Sequence, residues 1–204
     1  MTLQPDSAEF FETMYQAKND PWNFASSPSE LYRYERILNA IAGRRFHHAW
    51  EPACSVGVLT VQLAKRCDRV TAFDFSPTAA AAARQRCAPY EHVEVRCASI
   101  LEAEPSEGVD LLVLSEIGYY FSQSVWQVLL SRLLDHVEIG CIVIAVHWLG
   151  VSPDHCLSGD EVHEIVRAEP RLRLLHEERH ETFRLDLLQV EERLKASVQA
   201  RKER

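Results

Sequence analysis

A short run of small residues joins a candidate strand at 48–53 to a candidate helix that starts at Gly57. The run reads Glu51-Pro-Ala-Cys-Ser-Val-Gly57, with Ala53 and Ser55 between its ends. Small side chains allow the backbone N–H groups of such a loop to approach a ligand at the helix N-terminus. The segment therefore predicts a ligand-binding loop.

An acidic residue ends the strand that follows. Asp74 lies 17 residues after Gly57, inside the strand predicted over 69–75. A carboxylate in this place can accept hydrogen bonds from both hydroxyls of a ribose. The spacing predicts a cofactor that contains a nucleoside, bound at the carboxyl edge of a sheet. The alternative is that Asp74 only caps the helix that begins near Pro77.

Strands and helices alternate around these residues. Continuous apolar runs at 109–115 and 139–148 are typical of strands buried on both faces. The alternation predicts an α/β fold with a doubly wound, seven-stranded, mostly parallel sheet. The last two strands, 172–181 and 183–190, are joined too closely for a helical crossover, so we expect them to pair antiparallel. Further elements are predicted as strands at 48–53, 69–75 and 91–97, and as helices at 6–17, 28–42, 57–67, 76–83 and 125–137.

The length of 204 residues fits one domain. Within it we expect N-terminal helices at 1–45, a core at 46–190 and a polar tail at 191–204 that is helical or frayed. Before the last helix, Ser158 and Glu161 form a capping-box pattern. The six cysteines include no Cys-x-x-Cys pair, which predicts reduced core residues of a cytoplasmic protein.

Charge and hydropathy exclude several classes of function. The net charge of −8 disfavours binding to a nucleic acid backbone, so no nucleic acid partner is expected. The most apolar run, 139–151, is shorter than the roughly 20 residues of a membrane span, and the first ten residues do not resemble a signal peptide. We expect a protein without membrane segments, and a monomer because no apolar surface stripe is left over.

Together these motifs resemble one family. The loop at 51–57 is similar to the first motif of class I S-adenosylmethionine (SAM) methyltransferases, and more closely to the NodS-like branch, which is named for a nodulation N-methyltransferase that modifies chitooligosaccharides. The similarity extends to Asp20-Pro-Trp22, Leu114-Ser-Glu-Ile-Gly-Tyr-Tyr120, His147-Trp148 and Leu157-Ser-Gly-Asp-Glu-Val-His-Glu164. It covers roughly residues 15–190.

This resemblance implies SAM as cofactor, S-adenosylhomocysteine (SAH) as product, and a role for each matching residue. Glu51 would face the methionine end and Asp74 would hold the ribose. Trp22 would belong to a helical lid formed by residues 1–45, or would only be a hydrophobic plug over the sheet. The remaining cofactor-binding residues are implied to be Ala53, Ser55 and Gly57 along the loop, Phe75, Ser99 and Ile100 around the adenine, and Ser115 near the sulfonium. Glu116, Tyr120 and His147 are the catalytic candidates. Glu116 would orient an amine, and His147 would act either as a base near pH 7 or only as a structural, hydrogen-bonded histidine at a strand end.

Four positions depart from the family pattern, and one of them is Gly118, which stands where an apolar residue is usual. Ala53 and Ser55 stand where glycines are usual, and we expect them to fit only if their φ angles are negative. Ser99 stands where many relatives have an aspartate that binds the adenine amino group. The resemblance implies transfer to a small-molecule acceptor, in particular N-methylation of an amino sugar or oligosaccharide.

Three other functions are compatible with parts of the sequence. A non-catalytic binding protein of the same fold is the main alternative, because of the replaced glycines. A nicotinamide-dependent oxidoreductase would need three glycines in the loop, which has one. The His176-Glu-Glu-Arg-His180 sequence matches a zinc protease motif, but in a strand its histidines would lie about 13 Å apart, so no metal is expected.

Overall fold

Seven strands form one sheet in the computed structural model, which describes residues 8–192. They are β1 (Phe46–Pro52), β2 (Cys67–Asp74), β3 (Val93–Cys97), β4 (Leu111–Ser115), β5 (Ile142–Trp148), β6 (Leu172–Arg179) and β7 (Phe183–Val190). The order across the sheet is β3-β2-β1-β4-β5-β7-β6. The first five strands pair in parallel, and β7 runs antiparallel to both of its neighbours. The predicted fold class and its antiparallel last strand are confirmed.

Within the described residues there are also six helices, of which the first two precede the first strand, and one 3-10 turn. The helices are α1 (Ala8–Ala17), α2 (Pro28–Ala40), α3 (Val58–Ala64), α4 (Pro77–Cys87), α5 (Gln123–Leu134) and α6 (Gly159–Ala168), and the 3-10 turn is Gly118–Tyr120. Side chains of α2, α3 and α4 pack on one face of the sheet, and those of α5 and α6 on the other. The predicted tail falls almost entirely on 193–204, which lie outside the described residues.

The central strands are buried on both faces, as their apolar runs predict. Along β4, Leu111 and Val113 join the core under α2 and α3, whereas Leu112 and Leu114 join the core under α5 and α6. All four side chains are fully buried. This alternation follows from the two-residue period of a strand. It fixes the register of β4, and with it the place where the chain leaves the sheet after Ser115.

Helix ends follow from local chemistry. Ser76 and Ser122 accept backbone N–H bonds as N-caps of α4 and α5, and Ser158 and Glu161 form the predicted capping box of α6. The helix predicted over 57–67 ends at Ala64, because β2 already begins at Cys67.

The cysteines are free, but their burial differs from the prediction. Four are buried as predicted, whereas Cys97 and Cys156 are exposed. Among residues 8–192 no helix is long and apolar enough to cross a membrane.

Two glycines with the same backbone conformation test how closely the binding loop packs. Gly57 and Gly43 both have φ +76°, but a Cβ on Gly57 would lie 3.0 Å from the Cα of Ala83 in α4, whereas a Cβ on Gly43 would meet nothing within 4 Å. We expect Gly43→Ala to lower the free energy of unfolding by about 1 kcal/mol, the cost of a left-handed non-glycine residue. Gly57→Ala should cost roughly 1–3 kcal/mol more through overpacking. Urea unfolding of both variants measures the difference, and equal losses would show that α4 can move away.

Candidate active site

A cavity of about 550 Å³ lies at the carboxyl edge of the parallel strands. The loops after β1 to β5, helix α1 and the 3-10 turn surround it. Nine of the thirteen predicted site residues line this cavity, namely Trp22, Ala53, Ser55, Asp74, Phe75, Ser99, Ile100, Glu116 and Tyr120. Glu51 and Ser115 border a smaller space behind the loop, and neither Gly57 nor His147 lines either cavity.

The carboxylate of Asp74 holds the binding loop. One oxygen accepts the backbone N–H of Ser55 at 3.0 Å, and the other accepts the backbone N–H of Ser76 at 2.9 Å. Each carboxylate oxygen can accept a second hydrogen bond, so both remain able to meet a ligand hydroxyl. Burial raises the pKa of Asp74 to about 6, although the two N–H groups favour the anion. Asp74 therefore fixes the start of α4, and its two oxygens can also accept hydrogen bonds from a pair of neighbouring hydroxyls.

The backbone of the loop contradicts one expectation. Ala53 has φ +53° and Ser55 has φ +49°, both left-handed, whereas we expected negative values. The loop keeps the conformation that glycines adopt easily, and other residues adopt it at a cost of about 1–2 kcal/mol each. At Ser55 two hydrogen bonds support the strained backbone, because its N–H bonds to Asp74 and its hydroxyl accepts the Tyr15 O–H at 2.6 Å.

Helix α1 closes one side of the cavity. Phe11, Tyr15 and Trp22 line it, and the ring centroids of Phe11 and Tyr15 lie 6.1 and 5.5 Å from that of Trp22. The Glu12 carboxylate accepts the hydroxyls of Ser76 and Thr78, each at 2.5 Å, at the start of α4. An anion at a helix N-terminus is favourable. These contacts fix the N-terminal segment over the loop.

Glu51 is a buried acid behind the loop. Its side chain is almost inaccessible to solvent, and its Oε2 has no hydrogen-bond partner within the part of the chain that the structure describes. Burial raises the pKa of Glu51 to about 8. A carboxyl group that is neutral at pH 7 can donate a hydrogen bond as well as accept one, so Glu51 is suited to act as a polar contact rather than as a charge.

Glu116 is the centre of the opposite half of the site. It follows β4 with a left-handed φ of +57°. Its carboxylate accepts the backbone N–H of Trp148 and the hydroxyl of Tyr119, both at 2.7 Å, and pairs with the guanidinium of Arg33 at 3.0 Å. These three donors tie the ends of β4 and β5 to α2. With most of its acceptor sites used, Glu116 is better suited to orient groups than to remove a proton.

His147 does not reach the cavity, which argues against its predicted role as a base. The side chain is fully buried. Its Nε2 accepts the backbone N–H of Gly118 at 3.1 Å, and its Nδ1 lies 3.3 Å from Nε2 of His163, whose Nδ1 bonds to Asp186 at 2.8 Å. Burial and the neighbouring histidine lower the pKa of His147 well below its ordinary value. The residue instead fixes the 3-10 turn that carries Tyr119 and Tyr120.

Several side chains at the site were not predicted, among them Tyr15, Arg33 and His155. All three line the cavity. The sequence signal for Arg33 is its position four residues before Ile37 on the apolar stripe of α2, where a charge needs a partner. The sequence signal for Tyr15 is that a tyrosine stands on the apolar face of α1. No pattern in the surrounding sequence marks His155 as a site residue.

The zinc-protease pattern lies on a strand, as predicted. His176 and Glu178 belong to β6, and His180 follows it directly. Both histidines bond to the Glu178 carboxylate, which also accepts a bidentate pair from Arg36. Arg36 and the histidines lower the pKa of Glu178 to about 2. Over residues 8–192 no group of three or more ligating side chains could hold a metal ion.

Comparison with known proteins adds a family assignment. The family model described as nodulation protein S (NodS) matches residues 6–144. Nodulation protein S from Rhizobium tropici is 30% identical over 105 residues, and that from Bradyrhizobium diazoefficiens is 32% identical over 112 residues. These matches cover 51% and 53% of this chain and 44% and 53% of the relatives. The chain thus spans about half the length of the curated relatives that it matches.

A solved structure shows the same fold. The crystal structure of N-methyltransferase NodS from Bradyrhizobium japonicum WM9 in complex with SAH superposes with a TM-score of 0.79. The superposition covers 91% of this chain and 99% of that one at 20% sequence identity. At this identity the similarity establishes the methyltransferase fold.

The buried acid gives a prediction about pH. Because the pKa of Glu51 is raised to about 8 in the folded protein and is near 4.5 when unfolded, the unfolded state loses its proton first. The contribution of Glu51 to stability is therefore present below pH 4.5 and is lost as the pH rises towards 8. Between pH 5.5 and 7.5, the free energy of unfolding of the wild type should fall by about 2 kcal/mol relative to Glu51→Gln. Urea unfolding at both pH values measures this difference. An equal change in the free energy of unfolding of the wild type and of Glu51→Gln would mean that Glu51 is ionised in the folded protein.

The strained loop gives a second prediction. Replacing Ala53 by glycine relieves the left-handed strain, so Ala53→Gly should leave stability unchanged or raise it by about 1 kcal/mol. The matched control is Ala40→Gly at the last residue of α2, where the substitution should cost roughly 0.5–1 kcal/mol. Thermal or urea unfolding distinguishes the two. A comparable loss in both variants would contradict the left-handed conformation of Ala53.

Proposed function

The chain belongs to the nodulation protein S (NodS) family, and from that premise we propose that it is a SAM-dependent methyltransferase that acts on a small-molecule acceptor. The observation that carries the proposal is the single cavity that runs from Asp74 and Ser99 at one end to Glu116 and Trp148 at the other. A methyl donor and its acceptor must meet in one space, and this cavity is large enough for a ligand of cofactor size.

The cofactor would occupy the half of the cavity over β1 to β3. Asp74 would accept the two ribose hydroxyls, and Ser55 would line the methionine end from a loop already fixed in place. Phe75, Ser99 and Ile100 would enclose the adenine. Phe75 is held edge-on to Phe11 at 5.6 Å, so the adenine wall is itself supported by α1.

The charge of the cavity supports a cationic ligand. Glu30, Asp74, Glu116 and Asp154 line it, and Arg33 is the sole lysine or arginine among the described lining residues. Arg33 is already paired with Glu30 and Glu116. The excess of carboxylates favours the positively charged sulfonium of SAM over neutral ligands.

The acceptor would occupy the half formed by Glu116, Tyr120 and Trp148. Methyl transfer needs mainly in-line positioning of a nucleophile about 3 Å from the methyl group. The solved neighbour is an N-methyltransferase, and the aromatic and acidic walls suit an amine, so we propose N-methylation of an amino sugar or oligosaccharide.

The proposal includes the arrangement of the chain. Residues 1–45 would act as a lid over a core at 46–190, with Trp22 excluding water from the reacting groups. We also propose that the protein acts as a monomer and binds no nucleic acid, in keeping with its net charge of −8.

Binding of the cofactor is the first test. We expect the wild type to bind SAH in isothermal titration with micromolar affinity. Asp74→Asn should bind about 10- to 100-fold more weakly, because hydrogen bonds to a charged group contribute about 1.5–3 kcal/mol. The matched control is Asp68→Asn, on the same strand but half exposed and paired with Arg45 far from the cavity, which should bind like the wild type.

The outcomes separate the candidate functions. Absence of SAH binding by the folded wild type at millimolar ligand would refute the proposal. Binding without methyl transfer from labelled SAM to glucosamine or its dimer would favour the non-catalytic binding protein. Urea unfolding of each variant confirms that a loss of binding is not a loss of fold.

A further inference from the structure

Methylation of an amine requires a group that removes a proton from it, and none of the predicted catalytic residues is free to do so. This step rests on the proposed function. An amine is protonated near pH 7, and its nitrogen can attack the sulfonium methyl only after the proton has left. The carboxylate of Glu116 is occupied by three donors, and His147 is buried and bonded through both ring nitrogens. Burial also raises the pKa of the Tyr120 hydroxyl far above neutrality, which keeps it protonated.

A different histidine lines the cavity on the acceptor side. His155 lies in the segment between β5 and α6. Its ring stacks on Tyr119 with centroids 3.9 Å apart and an interplanar angle of 15°. The rings of Tyr120 and Trp148 meet it edge-on at 5.3 and 6.1 Å. Three aromatic neighbours thus fix the plane of the imidazole.

The backbone of this segment is held as firmly as the ring. The carbonyl of Tyr119 accepts the N–H groups of Cys156 at 2.7 Å and Leu157 at 3.2 Å, and the N–H of His155 bonds to the carbonyl of Ser152. These hydrogen bonds attach the segment that carries His155 to the 3-10 turn. The same turn is fixed by a further hydrogen bond, which the backbone N–H of Gly118 donates to His147.

The ring has an unused nitrogen. Nε2 of His155 makes no hydrogen bond within the described part of the chain and is not buried, whereas Nδ1 is buried and also has no partner. Because the ring lines the cavity, Nε2 is the nitrogen that an acceptor can reach. The charged groups near the ring are Asp154 on its own segment and Glu116 after β4. Its other titratable neighbours are His147 on β5 and the two tyrosines of the turn, Tyr119 and Tyr120, whose rings contact the imidazole. Burial outweighs the two carboxylates and lowers the pKa of His155, so the imidazole is neutral near pH 7.

We propose that His155 is the proton acceptor of methyl transfer to an amine. The imidazole takes a proton from the ammonium group of the acceptor and becomes imidazolium. The amine lone pair then forms the new bond to the methyl carbon, and the carbon–sulfur bond breaks with its electron pair staying on sulfur as neutral SAH. The product carries the positive charge as a methylammonium group. The imidazolium proton passes to water when the product leaves, and Asp154 and Glu116 stabilise the imidazolium meanwhile.

His155→Gln tests this role, with glucosamine and its dimer as acceptors and labelled SAM as donor. At pH 7 kcat/KM should fall by at least about 100-fold, the lower range for general base catalysis. The deficit should narrow as the pH rises, because a free amine needs no base. His155→Ala should regain activity with added imidazole. The control is His47→Gln at the start of β1, where the side chain is 76% exposed, and it should match the wild type.

Binding of SAH by each variant distinguishes the failure of this inference from that of the proposed function. We expect the His155 variants to bind SAH within about threefold of the wild type. Unchanged kcat/KM in His155→Gln, or a deficit that is constant with pH and unaffected by imidazole, would overturn the inference while leaving the methyltransferase intact. A wild type that binds SAH but methylates neither amine would overturn it as well, whereas a wild type that binds no SAH would refute the proposed function itself.

Discussion

The buried carboxylate of Asp74 is the contact on which the cofactor half of the site depends. It joins the loop after β1, through the N–H of Ser55, to the start of α4, through the N–H of Ser76. Hydrogen bonds to a charged acceptor are stronger than neutral ones, so the bond to Ser55 offsets the strain of its left-handed backbone. A ligand that binds Asp74 meets oxygens whose positions are already fixed, and little further ordering is needed.

The other half repeats this construction with Glu116. It too is an acid that follows a parallel strand, and it holds a neighbouring strand end through the N–H of Trp148. Its own backbone is left-handed, and the ion pair with Arg33 brings α2 to the same point. Contacts among buried side chains also support the turn after Glu116. They run from Asp186 through His163 to His147, which accepts the backbone N–H of Gly118. In both halves of the site, therefore, buried polar groups hold the backbone in place, and only part of each carboxylate is left to face the cavity.

The sequence predicts what depends on local patterns. Strand and helix alternation, the close joining of the last two strands and the Ser158 capping box are all visible in short windows, and the structure agrees with them. The predictions that failed depend on distant partners. The conformation of Ser55 is set by groups 19 and 40 residues away, and the burial of His147 depends on partners 16 and 29 residues away. His155 lies in an irregular segment without periodicity, so only the fold reveals that its ring faces the cavity.

The distribution of charge links the two halves in the proposed reaction. The positive charge starts on the sulfonium near the loop and ends on the methylated nitrogen near Glu116. Carboxylates line both ends of the path, with Asp74 on one side and Glu116 and Asp154 on the other. The positive charge therefore moves from one group of carboxylates to another. At no step is it placed in an apolar space, where it would lose its stabilisation by solvent or by polar groups. The neutral SAH that remains has lost the attraction that held SAM, so the same carboxylates that bind the substrate favour release of the product.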